Sequence, residues 1–296
     1  MDRKTNISRR KFLNIITIPP LCSIGCIFRN DTKNNSDSET ISFGMIADTH
    51  YADKNTWGTR YYRDSDEKLV QCIETFNELK PSFIIELGDF IDDNVKEIEI
   101  GYLKKIDSIF SQFNGDRYYV LGNHDMSSLS KEEFLSVTSA HGKYYSFDYS
   151  SFHFVVLDGN YNGDGSDYNA GNFYWTETYI NTPQLEWLRN DLEKASNKTT
   201  IVFTHQNIHN ENDNYRLNNA REVRLILEQA GNVCAVFQGH YHNGGYNVVN
   251  GIHYVTLQGA VENPGLENNK YALTDADRDN IKIEGYGKQN SYELKV

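Results

Sequence analysis

The segment "ISFGMIADTH" (residues 41–50) is an apolar run that stops at Asp48 and His50. A short apolar run closed by polar residues reads as a strand buried on both faces. Four later runs end the same way. "SFIIELGDFID" (82–92) reaches Gly88-Asp89, with Asp92 beyond, and "RYYVLGNHD" (117–125) reaches Asn123-His124-Asp125. "TTIVFTHQ" (199–206) reaches His205, and "NVCAVFQGHYH" (232–242) reaches His240 and His242.

Helical patterns separate these runs. Residues 64–80 place Leu69, Ile73, Phe76 and Leu79 at three- and four-residue steps, and 96–113 repeat the pattern. In 182–195, Thr182 reads as a cap with Pro183 in the first turn; 218–231 stop at Gly231. Strands alternating with helices predict an α/β fold with parallel central strands. Residues 144–158, 244–261 and 270–287 read instead as hairpins. Together these predict two mixed sheets packed face to face with helices outside, a four-layer α/β/β/α sandwich.

Composition is that of a soluble globular chain, with 39% hydrophobic and 24% charged residues. A net charge of −12 argues against nucleic acid as a partner. An acidic protein that binds phosphate needs local positive charge, such as metal ions. Residues 1–26 have a basic start containing "SRRKFL", a short apolar stretch and Cys26 after Gly25, similar to a twin-arginine export signal with a possible lipid-attachment cysteine. Residues 27–40 read as a polar linker and 41–296 as one domain. These features predict an exported protein, either periplasmic or membrane-anchored as a lipoprotein. Cys72 and Cys234 read as buried thiols, with no disulfide framework.

In open α/β sheets, ligands sit at the carboxyl ends of strands. The polar endings supply Asp48, His50, Asp89, Asn123, His205, His240 and His242. Oxygen and imidazole ligands without thiolate suit Mn, Fe or Zn. Seven donors exceed one tetrahedral ion and fit two divalent ions, about 3.5–4 Å apart in hydrolytic sites. Asp89 is the natural carboxylate to bridge them. His240 and His242, two apart in an extended segment, point to one side about 6.5 Å apart and can reach different ions.

In order, Asp48-Thr49-His50, Gly88-Asp89-Phe90-Ile91-Asp92, Gly122-Asn123-His124-Asp125, His205 and Gly239-His240-Tyr241-His242 resemble the motif series of the calcineurin-like metallophosphoesterases. The resemblance implies a β-sandwich flanked by helices. It also implies one ion on Asp48, His50, Asp89 and His242 and another on Asp89, Asn123, His205 and His240. It makes His124 the acid facing the leaving group, Asp125 its orienting partner, and Asp92 the residue that fixes a ligand histidine. "FGMIADTHYADK", "VVLDG" and "GHYHNGGY…GIHYVTLQGAVE" look further like the manganese-dependent ADP-ribose/CDP-alcohol diphosphatases. That subgroup tends to carry Gln at the place of His50 and Glu at the place of Asp125.

The expected activity is hydrolysis of phosphoanhydride bonds in small nucleotide-linked substrates by a hydroxide shared between the two ions. The alternatives are a phosphomonoesterase or phosphodiesterase on the same site, or a non-catalytic metal-binding lipoprotein. Arg60 reads as a candidate ligand for a second phosphate, with Arg63 near it. Tyr61, Tyr62 and Tyr246 read first as core packing, with stacking on a base as the alternative. His153 and His253 read as structural. Residues 158–169 match the first half of a calcium loop but place Asn169 at its last position, so they read as a loop over the site.

Overall fold

Strands β1 (Ile41–Ile46), β2 (Phe83–Glu86) and β3 (Asp116–Tyr119) are parallel neighbours, with helices α1 (Ser65–Leu79) and α2 (Lys96–Phe110) as crossovers. The computed structural model describes residues 40–296, so the readings of 1–26 as an export signal and of Cys26 as a lipid site lie outside the described residues, as does nearly all of the 27–40 linker. Among the described residues no helix is long and apolar enough to cross a membrane.

After β3 comes a short helix, α3 (Lys131–Thr138), which periodicity did not reveal. Its signal is local: Ser130 and Glu133 form a reciprocal capping box. The chain then builds a second sheet from β4 (Tyr145–Tyr149), β5 (Phe152–Val156), β6 (Thr199–Thr204), β7 (Val233–Gln238), β8 (Gly245–Val249) and β9 (Ile252–Thr256). Helices α4 (Thr182–Lys194) and α5 (Ala220–Ala230) cross over between its strands. The α4 cap is Asn181, whose side chain accepts from Gln184 N at 3.1 Å, and Thr182 is already helical. Strands β10 (Lys270–Ala276), β11 (Asn280–Gly287) and β12 (Tyr292–Lys295) return to the first sheet. Spatial orders are β12-β11-β10-β1-β2-β3 and β4-β5-β6-β7-β9-β8.

The predicted hairpins β4–β5, β8–β9 and β10–β11 form. The first two also feed the parallel sets, because β5 runs parallel to β6, and β9 to β7. The carboxyl end of β9 therefore joins the edge where the polar endings collect.

Period-two alternation sorts the apolar residues into layers. Phe43, Phe83, Phe154, Phe203 and Phe237 face inward between the sheets. Ile46 and Ile84 face α1–α3, while Val155, Val202 and Val236 face α4 and α5. Phe43 meets Phe154, Phe203 and Phe237 edge-on at 5.7, 5.8 and 5.8 Å. Such pairs add about 0.5–1.5 kcal/mol each beyond area burial. Cys72 and Cys234 are buried free thiols, as their settings predicted.

Gly44 is an exception to strand propensity with a packing cause. A Cβ there would lie 2.6 Å from the Phe76 ring of α1. Gly44→Ala is expected to destabilise the fold by about 1–3 kcal/mol through overpacking. Urea unfolding checks this: the midpoint falls while the slope stays unchanged.

Candidate metal centre

The carboxyl ends of β1, β2, β6 and β7 meet at the Asp89 carboxylate. Its Oδ2 lies 3.4 Å from His50 Nε2 and 3.2 Å from His205 Nε2, bringing the two sheets together at one atom. On one side, His242 Nε2 is 3.2 Å from Asp48 Oδ1 and 3.1 Å from His50 Nε2. Ligand atoms of Asp48, His50 and His242 lie within 4.8 Å of one another, as do those of Asp89, His205 and His240. Asn123 adjoins the second group through its neighbour, as His124 N donates to Asp89 Oδ1 at 2.8 Å.

The backbone bends sharply to achieve this. Asp48, His50, Asp89 and His240 all have positive φ, between 45° and 67°. Non-glycine residues there are strained, and such strain collects at functional sites. The approach of β2 to β3 leaves no room for a side chain at Gly122, where a Cβ would sit 2.0 Å from Asp89 N.

Burial and neighbouring charge set the protonation states. Burial drives His50 and His240 well below the usual imidazole range, so both are neutral, the form a ligand requires. Burial also acts to lower His205 and His242, but Asp89 and Asp48 beside them outweigh it and hold each at about 9. Burial raises Asp89, yet the surrounding histidines pull it well below the usual carboxylate value.

Among the described residues, buried Asn123 Oδ1, His205 Nε2 and His240 Nε2 have no hydrogen-bond partner. An unsatisfied buried polar group costs about 1–3 kcal/mol. Three such atoms around two buried carboxylates fit cationic partners, and the all-nitrogen-and-oxygen donor set fits divalent ions.

Around the donors, three contacts fix the rings. His50 Nδ1 is 2.9 Å from Asp92 Oδ2, and His205 Nδ1 is 2.8 Å from Leu87 O. His242 Nδ1 is 2.7 Å from Glu262 Oε1. Each ring thereby presents Nε2 to the centre. Glu262 was missed in the sequence. Its signal is the ending of β9, "TLQGAVE", which reads as polar-terminated only once β9 is known to run parallel to β7. Its loop is held by two buried ammonium groups. Lys68 Nζ donates to the carbonyls of Ala260 (2.8 Å) and Asn263 (2.6 Å), and Lys270 Nζ to that of Gly259 (3.2 Å).

One expectation needs correction. Asp125 does not orient the His124 ring. Its carboxylate accepts from the backbone N–H groups of Gly122, Asp89, Phe90 and Ile91 at 2.9–3.1 Å, two per oxygen, which fills its acceptor sites. It braces the turn that carries Asp89. Beside His124 Nδ1 lie instead Asp92 Oδ2 at 3.7 Å and Asp93 Oδ1 at 3.5 Å. Arg60 does reach the rim, about a quarter exposed, but faces two carboxylates: Asp92 at 3.8 Å and Glu262 at 4.0 Å.

Other candidates fall away from the centre. Arg63 pairs with Asp53 at 2.5 Å, and Tyr62 is buried in the core. Tyr246 is bonded to His253, and His153 bridges Asp148 and Asp191, so these histidines are structural. In loop 158–169, the carboxylates of Asp158 and Asp167 close on the buried Lys131 ammonium at 2.6 and 2.8 Å. A lysine thus holds the place that a calcium reading would give to a metal.

The sequence model of the family described as calcineurin-like phosphoesterase matches residues 41–244. An Arabidopsis thaliana protein named manganese-dependent ADP-ribose/CDP-alcohol diphosphatase is 30% identical, covering 80% of this chain and 94% of its own. A protein of the same name from Oryza sativa subsp. japonica is 28% identical, covering 78% and 86%. The crystal structure of a dimetal phosphatase from Danio rerio shares the fold, with a TM-score of 0.75 at 22% identity over 86% of this chain and 98% of that one.

Removing the Glu262 contact frees the His242 ring. Glu262→Ala is expected to weaken Mn²⁺ binding about 10–100-fold in calorimetric titration. Glu262→Gln, which keeps an acceptor oxygen, should lose less. Unchanged affinity in the alanine variant would rule the contact out as an anchor.

Proposed function

The chain belongs to the calcineurin-like phosphoesterase family, and from that premise we propose that it hydrolyses the phosphoanhydride bond of nucleoside-diphosphate-linked small molecules. It is a metallophosphoesterase that takes two divalent metal ions. The observation that carries the reading is the pair of donor groups joined at Asp89. The substrate class rests on the relatives named manganese-dependent ADP-ribose/CDP-alcohol diphosphatases.

Asp48, His50, Asp89 and His242 would hold one ion, and Asp89, Asn123, His205 and His240 the other. Bound divalent ions supply charge neutralisation at phosphorus and a water acidic enough to give hydroxide near neutral pH. The remaining work belongs to the chain. Asp125 and Gly122 hold the Asp89 turn rigid, so the donors do not reorganise during reaction. His124, about a quarter exposed and flanked by Asp92 and Asp93, would hand a proton to the departing oxygen. Arg60, about a quarter exposed at the rim beside Asp92 and Glu262, would offer its charge to a distal phosphate.

With Mn²⁺ present, ADP-ribose and CDP-choline should be cleaved faster than p-nitrophenyl phosphate or cyclic nucleotides, and EDTA should abolish the activity. Rapid monoester cleavage without diphosphate cleavage would overturn the proposal in favour of a phosphomonoesterase. General acids typically contribute about 10²–10⁴-fold. A phosphate is already a good leaving group, so His124→Ala should sit at or below the low end of that range on ADP-ribose.

The pattern of residues 1–26 supports export to the periplasm or, through Cys26, to a membrane surface. Cell fractionation tests this. Replacing Arg9 and Arg10 by Lys should trap the chain in the cytoplasm, and an unchanged distribution would refute twin-arginine export.

A further inference from the structure

Two cavities of opposite character flank the metal centre. One, of about 290 Å³, is lined by Phe173, Tyr174 and Trp175 together with Asn123 and His124. The other, of about 610 Å³, is lined by Asn207, His209, Asn210, Asp213, Asn247 and Thr256, with Tyr215 and Tyr241 on one wall. A contiguous aromatic surface joins them across His240. The Trp175 and Tyr215 rings lie 5.6 and 5.4 Å from it, 5.7 Å from each other, and Tyr215 continues to Tyr241 at 4.9 Å.

Tyr174 is 76% exposed and Trp175 42% exposed, yet their segment is firmly held. Gly171 N donates to Met126 O and Ala170 N to Leu129 O, both at 3.0 Å, which ties the segment to the turn bearing His124. The buried Tyr168 stacks on Phe173 at 4.0 Å, and its single hydroxyl proton is shared between the carbonyls of Tyr174 and Glu177. Aromatic side chains displayed to solvent from a fixed backbone, beside a catalytic centre, mark a contact surface for a planar ligand. Among the described residues neither cavity is lined by Lys or Arg, and each carries one carboxylate, Asp93 in the smaller and Asp213 in the larger. The larger cavity contrasts with the aromatic one. Its carboxamides and hydroxyls both donate and accept, which suits a neutral group rich in hydroxyls.

Building on the function proposed above, we propose that the substrate lies across the centre as a two-ended molecule, with its base against Tyr174 and Trp175 and a polyhydroxylated end in the Asn247 cavity. Trp175, Tyr215 and Asn247 become specificity-determining residues, none of them a metal donor.

Product binding tests this without turnover. AMP and ribose 5-phosphate are titrated into the Mn²⁺-loaded full chain by calorimetry. Trp175→Ala should weaken AMP about tenfold, the effect of losing one base–aromatic stack, and spare ribose 5-phosphate. Trp175→Phe should restore most of the AMP affinity. Asn247→Leu should weaken ribose 5-phosphate about tenfold and spare AMP. AMP binding untouched by Trp175→Ala, or both products weakened alike by both variants, would each overturn the proposal. A chain that cleaves only monoesters would sink the parent reading through the substrate panel, while the binding assay still judges the two pockets separately.

Discussion

One carboxylate must be reached by histidines from two different sheets, and much of the local structure serves that requirement. Asp89 follows the carboxyl end of β2, and its partners His50 and His205 follow those of β1 and β6. The sheets are separate layers with an aromatic core between them, so the strand ends must curl toward each other to meet. The left-handed backbone at Asp48, His50, Asp89 and His240 is the result. Gathering carboxylates in a buried site is unfavourable by desolvation and mutual repulsion, and the fold offsets this with histidines and oriented backbone N–H groups. Asp125 contributes at one remove, because its bonds to four N–H groups fix the turn on which Asp89 stands.

Most of this arrangement was legible in the sequence because it is written in strand endings. A buried parallel strand is an apolar run, and the residue that halts it lies at the ligand-binding edge. Asp48, Asp89, Asn123, His205, His240 and His242 could all be read that way. What stayed hidden follows the same logic. β9 looked like the far arm of a hairpin, which it is, but it also pairs with β7, and so Glu262 lies at the same edge. Pairing between distant strands leaves no local trace. Trp175 and Tyr215 were hidden for another reason: they sit in irregular loops, whose course no period predicts. Motif resemblance gave Asp125 a role toward His124, whereas the hydrogen bonds turn it toward the backbone. A motif records that a residue is needed, not what it touches.

The rings that face the centre are held from behind by unlike means. Asp92 holds His50, a main-chain carbonyl holds His205, and Glu262 holds His242. A carboxylate makes the ring a stronger donor than a neutral carbonyl does. The two halves of the centre therefore differ in basicity although their donor lists look alike. Arg60, set between Asp92 and Glu262, moderates only the carboxylate-backed half. A charge arriving at Arg60 from solvent would be felt there first.

The ammonium of Lys131, clasped by Asp158 and Asp167 above the Tyr161 ring, makes the loop self-sufficient. A loop knitted around a bound ion is at the mercy of its surroundings, slackening wherever that ion is scarce. Here the counter-charge is covalently part of the polypeptide and cannot diffuse away. The fold of this loop, and with it the Tyr168 ring that stacks on Phe173, therefore owes nothing to the supply of metal.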